Sequence, residues 1–268
     1  MPAMSSESGS PSPSPSPASQ SPSSSPLRHP FVWAAAAGLV VLAAAFAPVV
    51  WQVLRGGTAT AGTTDLPPPW QIERGEQGEL RAFGLRLPGS TLADAAARWG
   101  DDLQVAVIES RTQGAALEAY VERWQGGGVS GRLVLATDAE PAAVQRWRGQ
   151  AVKRETIDGN AQRWELAPDD RREALRSAIA GLSFLPANRL DPATLDARFG
   201  APAERVQTPD GVSHALYPDR GLAIAWDPAL GKAVLQLVPR ADVERRLRQP
   251  LLAALSASAA SPASGPTR

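Results

Sequence analysis

The stretch FVWAAAAGLVVLAAAFAPVVWQVL, residues 31–54, carries no charge, and no other feature limits the chain as strongly. As a helix rising about 1.5 Å per residue it extends roughly 36 Å, longer than the roughly 30 Å hydrocarbon core of a bilayer. Trp33 and Trp51 then stand about 27 Å apart, at the depths where interfacial aromatic rings collect. A helix buried in a globular core is rarely apolar all round with Trp at each end. The sequence therefore predicts a transmembrane helix over 31–54. The small-x-small ATA at 59–61 offers a cleaved signal peptide as the competing reading, but the apolar run exceeds the usual h-region of about 7–15 residues. Arg28 and His29 flank one end and Arg55 the other, so the positive-inside count is nearly tied. A short tail inside and a folded domain outside is the simpler arrangement. It places the protein in a bacterial inner membrane as a single-span signal-anchor, N-terminus cytoplasmic and C-terminal domain periplasmic.

Composition sets the rest of the frame. Residues 1–30 hold 12 Ser and 8 Pro, a segment that cannot bury apolar surface and reads as a disordered tail. Residues 55–69 read as a linker, and 250–268 as a second low-complexity tail. Basic and acidic residues balance at 27 each, so no overall field draws the chain to nucleic acid. Lys153 and Lys232 are the only lysines, and Arg stands beside abundant Ala, Pro and Gly, the mark of a GC-rich bacterial genome. The absence of cysteine excludes disulfides, thiolate metal sites and a thiol nucleophile. It also removes the residue that a lipoprotein would acylate.

Between Trp70 and Gln249 the periodicity switches repeatedly. Thr91 and Asp94 form a capping-box pattern, and Leu92, Ala95, Ala96 and Trp99 share a helical face ending at Gly100. LQVAVIE at 103–109 reads as a strand. Leu117, Tyr120, Val121 and Trp124 have helical spacing, which predicts a helix over 115–124 with Glu118 and Glu122 on its solvated side. RLVLAT at 132–137 is a strand, Pro141 opens a short helix placing Val144 and Trp147 inward, and strands follow near 151–157 and 161–167 around a DGN turn. A charged helix burying Leu175, Ile179 and Leu182 comes next. Asp191 caps a helix with Pro192 at its first position and Leu190 and Leu195 as a hydrophobic staple. AERVQ, VSHALYP, GLAIAW and KAVLQLV then read as an antiparallel meander, with Leu222, Ile224 and Trp226 on one face.

AAARWGDD and LDARFGAP echo each other 100 residues apart. Arg98 and Arg198 suit helix C-termini, Trp99 and Phe199 are core aromatics, and Gly100 and Gly200 supply the left-handed residue that ends each helix. The fold class expected is α+β: one N-terminal transmembrane helix, then a globular domain of two similar helix-plus-antiparallel-sheet halves, 70–183 and 184–249. The second half, LDPATLDARFGAP followed by strands through LQLV, weakly resembles the helix–Gly–x–Pro–meander unit of the SmpA/OmlA outer-membrane assembly lipoproteins. The whole arrangement also resembles uncharacterised proteobacterial single-span envelope proteins. The likeness implies a supporting role in outer-membrane protein assembly without chemistry of its own.

The residues for chemistry are scarce. His214 is the only histidine in the folded part, and Ser213 beside it points to the opposite face of a strand, which excludes a dyad between them. No G-x-S-x-G elbow, phosphate loop or metal-ligand spacing is present, so no catalytic, cofactor or metal residue is assigned. Among six tryptophans of the folded part, Trp70 in PPPWQIE is the best candidate for an exposed partner contact. These features predict a non-enzymatic, membrane-anchored envelope protein whose periplasmic domain binds a protein partner. A periplasmic carboxylate-dependent hydrolase or glycan-binding protein is the alternative. A pocket holding a carboxylate of raised pKa would favour the second, and an exposed sheet edge the first.

Overall fold

The computed structural model describes residues 68–75, 79–110, 114–157 and 161–260. Among them no helix is long and apolar enough to cross a membrane, and the span expected at 31–54 lies outside the described residues. The first tail, most of the linker and the DGN turn also lie outside them.

The chain is α+β and is dominated by one antiparallel sheet. Strands β1 (Glu73–Arg74), β2 (Leu80–Ala82) and β3 (Leu85–Leu87) form a small sheet ahead of helix α1 (Leu92–Trp99). Next come β4 (Leu103–Ser110), β5 (Gly114–Gly126), β6 (Val129–Thr137), α2 (Pro141–Gly149), β7 (Lys153–Ile157), β8 (Ala161–Glu165), α3 (Pro168–Ala174) and β9 (Ile179–Pro186). The remainder is α4 (Pro192–Phe199), β10 (Glu204–Gln207), β11 (Ser213–Tyr217), β12 (Leu222–Asp227), β13 (Lys232–Leu237) and α5 (Gln249–Ala260). The large sheet has ten strands in the order β10-β11-β12-β13-β9-β6-β5-β4-β8-β7. Each meander therefore starts away from the centre and runs inward, and the two meet at the β13–β9 pair. The expected boundary at 183/184 falls inside β9, which bonds β6 on one side and β13 on the other.

The helix expected over 115–124 is instead the interior of β5. Strand alternation sends Leu117, Ala119 and Val121 into the main core, and a register shift between Val121 and Trp124 then inserts one extra residue. The bulge turns Trp124 inward where Phe- or Trp-sized bulk would otherwise face away. Spacings of two, two and three imitate part of a helical stripe. A similar imitation affected 168–182: α3 stops at Ala174, and Ile179 and Leu182 belong to β9. Ordered chain also runs past Gln249, because Leu251 packs on Leu216, Ala223 and Val238 and holds α5 to the sheet.

One face of the sheet carries α1 to α4 and the small sheet, and here most of the core lies. Phe83, Trp124 and Phe184 meet with ring centroids 4.9–5.4 Å apart, joining the β2–β3 hairpin to β5 and β9. Phe83 takes a positive φ of 55° and Gly84 one of 75°, the pair of signs a type I′ hairpin requires. A bulky side chain in that region is strained, so ring burial holds the turn. Gly131, opposite Trp124, makes room for the cluster: a Cβ there would lie 2.3 Å from the Leu185 carbonyl oxygen and 2.7 Å from the Phe184 ring.

Local signals at the helix ends act as expected. Thr91 and Asp94 form a reciprocal capping box, and the Leu92 and Ala93 amides donate to the Ser177 and Leu175 carbonyls. Asp191 accepts from the Thr194 amide at 2.8 Å above Pro192. Gly100 and Gly200 have φ of 53° and 73°, but ψ of −126° and −169° in place of the left-handed value. That region is even more restricted to glycine. No atom lies within 4 Å of a Cβ built on Gly200, so its cost is purely backbone. Gly200→Ala should lower unfolding free energy by about 1–3 kcal/mol, and Trp124→Ala by about 3–5 kcal/mol. Urea denaturation of each variant measures both.

Candidate functional site

Among the described residues three places are candidates for a site. The first is a small cleft where α4 crosses β10 to β12. Its roof is Pro192, Leu195 and Asp196, and its floor is Arg205, Ser213, Ala215, Tyr217, Ile224 and Trp226, around a volume of about 100 Å³. Capping at Asp191 and the glycine exit at Gly200 fix the helix over this floor. The Tyr217 hydroxyl donates to the Gly200 carbonyl at 3.1 Å, and Arg205 meets Asp196 at 2.9 Å. The buried Trp226 Nε1 has no hydrogen-bond partner among the described residues. This cleft can hold a few waters or one small group that accepts a hydrogen bond. Its single carboxylate is tied to a guanidinium, so it holds no acid–base pair.

The second place is the opposite face of the sheet. Glu118, expected on the solvated side of a helix, is instead 3% exposed, because alternation along β5 sets it against Leu117 and Ala119. Its neighbours across the ladders are Ala106 and Ala136, neither of which can pair with it. Oε2 is unpartnered among the described residues, and burial pushes the carboxyl up to about 8. A carboxyl at that value is a neutral acid at pH 7. Glu122 is on the same strand but forms an ion pair with Arg132, Nε to Oε2 2.8 Å, and Arg132 lies 6.0 Å from the Tyr120 ring centroid.

The third place surrounds His214. It is 1% exposed on the face of β11 opposite Ser213, which lines the cleft. Thr208 Oγ1 lies 3.5 Å from Nε2, and the same hydroxyl bonds the Val212 carbonyl oxygen at 3.1 Å within the TPDG turn. Nδ1 has no hydrogen-bond partner among the described residues, and Thr208 is itself 3% exposed. Burial pulls the imidazole down to about 4, against a weak opposing pull from Asp210. This is a neutral core histidine on a strand, shielded from solvent by its burial.

The residues of the echo end in separate surroundings. Phe199 is 2% exposed and packs on Tyr217 at 6.0 Å, whereas Trp99 is partly buried against the same core. Arg98 and Arg198 are both exposed, and neither lines the α4 cleft. Trp70 packs against the core with its ring under Arg198, guanidinium to centroid 4.8 Å. Asp101 and Asp102 form a 3-10 turn after α1, and Asp169 and Asp170 sit in the first turn of α3. Among the described residues no cluster of His, Asp or Glu could hold a metal. No family model, no curated protein and no solved structure matches the chain.

Glu118 and His214 together set a pH profile. From about pH 4.5 to 6.5 the folded chain holds a proton on Glu118 that the unfolded chain has lost, and the unfolded chain holds one on His214 that the folded chain lacks. The two cancel and stability is level. Above about 6.5 only the Glu118 difference remains, so stability should fall by about 1.4 kcal/mol per pH unit up to about 8. Between about 4.5 and 4 the unfolded chain alone holds an extra proton, on His214, so stability falls as pH drops, and below about 4 both groups are protonated in both states. Glu118→Gln should abolish the alkaline fall. Its stability relative to the parent should be higher at pH 8 than at pH 5 by on the order of 3 kcal/mol, read from urea midpoints.

Proposed function

We propose that this is a membrane-anchored, non-enzymatic envelope protein, held in a bacterial inner membrane by residues 31–54, whose periplasmic domain binds a protein partner. The observation that carries this reading is the separation of chemistry from access. Among the described residues, the carboxyl raised toward neutral pH, Glu118, lies on a closed sheet face, and the α4 cleft holds only a neutralised one. A carboxylate hydrolase needs both in one opening. Among the described residues the sheet ends in β10 and β7, each bonded on one side only. Such edges present free backbone groups to an added strand, a common mode of protein recognition.

The finer architecture belongs to the same proposal. Reading toward the β9–β13 pair, α1-β4-β5-β6-β9 and α4-β10-β11-β12-β13 are two helix-led sets of four strands whose order corresponds to a half-turn about an axis between β9 and β13. The first set carries α2, β7, β8 and α3 as an insertion before its last strand. We read the domain as one unit used twice. The resemblance of the second set to the SmpA/OmlA module supports an assembly or scaffold role.

In-cell crosslinking with mass spectrometry should recover one envelope protein through β10 or β7. Recovery of no protein, together with glycan bound at the cleft, would favour the alternative. An alkaline phosphatase fused after Arg268 should be active, and a cytoplasmic reporter at the same place should not.

A further inference from the structure

Arginines gather on the outer face and at the borders of the small sheet, and three of them form no ion pair among the described residues. Leu80, Ala82, Leu85 and Leu87 point into the core, so Arg81 and Arg86 point outward, directly opposite each other across the β2–β3 ladder. Like charges so placed repel. Arg81 reaches Glu79 at 3.3 Å, whereas Arg86 forms no ion pair among the described residues. Two further guanidinium groups border this sheet, and they are the arginines of the sequence echo. Arg98, ending α1, lies over the hairpin tip, so near that a Cβ on Gly84 would sit 2.4 Å from its Cζ. Arg198, ending α4, covers Trp70, three residues before β1. Neither forms an ion pair among the described residues. Arg74 on β1 donates to the Asp219 carbonyl at 2.5 Å. Among the described residues the acids nearby are Glu73, directly opposite Arg81 across the β1–β2 ladder, Glu79, and Asp94, which Thr91 engages and whose carboxyl pKa the Arg86 charge helps to lower.

We propose that this face lies against anionic lipid headgroups, with Arg86, Arg98 and Arg198 on phosphate oxygens. The step rests on the anchored reading in one respect. Residues 55–67, at most about 45 Å of chain, separate 31–54 from Pro68, and the small sheet is the first folded element after them. Guanidinium groups hold phosphate oxygens in pairs, and Trp70 places an amphipathic ring beside them, as at a membrane surface. A phosphodiester surface is favoured over an acidic protein because the face follows directly on the membrane-proximal end of the chain.

The test uses the full chain in nanodiscs of phosphatidylcholine alone or with about one-third phosphatidylglycerol. Phenylglyoxal labelling of each arginine is read by mass spectrometry, with Arg172 on α3 as a reference. Labelling of Arg86, Arg98 and Arg198 should slow about fivefold in the anionic discs only. It should recover at about 500 mM salt, where charge is screened within about 4 Å. Arg81, opposite Arg86, should also be slowed in the anionic discs, and in Arg86→Glu/Arg98→Glu/Arg198→Glu, shown folded by near-ultraviolet circular dichroism, that slowing should be lost. Equal labelling in the two discs overturns the proposal, leaves the anchor intact, and turns attention to an acidic protein surface. Protection in phosphatidylcholine alone also overturns it, since charge would not be the cause. If alkaline carbonate strips the chain from both discs, the anchor reading fails separately. Sedimentation with phosphatidylglycerol vesicles then decides the face: salt-sensitive binding lost in the triple variant supports the proposal, and no binding overturns it.

Discussion

Three rings hold this architecture together. Phe83 comes from a hairpin, Trp124 from the bulged strand β5 and Phe184 from β9; Trp124 meets each Phe edge to face, and the two Phe rings are tilted at 44°. Such packing is worth about 0.5–1.5 kcal/mol per pair beyond the area buried. The value of the cluster lies in what it joins. β9 is bonded to both meanders, β5 is central to one of them, and the hairpin closes the core over both. Two local irregularities serve the contact: the positive φ at Phe83, which aims its ring inward, and the bulge before Trp124. A third, Gly131, leaves out the Cβ that Phe184 would strike.

Those irregularities decide how much of the fold was legible in the sequence. Helix caps are local, and Thr91, Asp94, Asp191 and Pro192 announced α1 and α4 correctly. The second meander was legible for the same reason, since its tight turns and clean alternation lie within a few residues of one another. β5 was not. A single inserted residue converts spacing of two into a mixture of two and three, and the resulting stripe looks helical. That one error also hid Glu118, because the face of a helix and the face of a strand assign it to different surroundings. The end of the ordered chain was misread because Leu251 stands in an Ala- and Ser-rich stretch whose composition suggests a tail.

The sites follow the same division. Scarcity of histidine and absence of cysteine can be read by counting, whereas the full burial of His214 depends on what packs over β11. The pairing of Asp196 with Arg205, and the contact of Arg198 with Trp70, depend on contacts across the fold that no spacing rule encodes. Trp70 and the two echo arginines were each singled out separately in the sequence. The structure brings Trp70 under Arg198 at the border of the small sheet.

If the ring cluster and β9 unite the two meanders, the domain must unfold as one unit. Native-state hydrogen exchange measures this directly, through the opening free energy of individual amides. Amides in the interiors of β5, β9 and β12 should share one opening free energy, equal to the global value, and Phe83→Ala should lower all three together. Exchange of β11 and β12 at a distinctly lower free energy than β5, unaffected by Phe83→Ala, would contradict the account and show two independently stable halves.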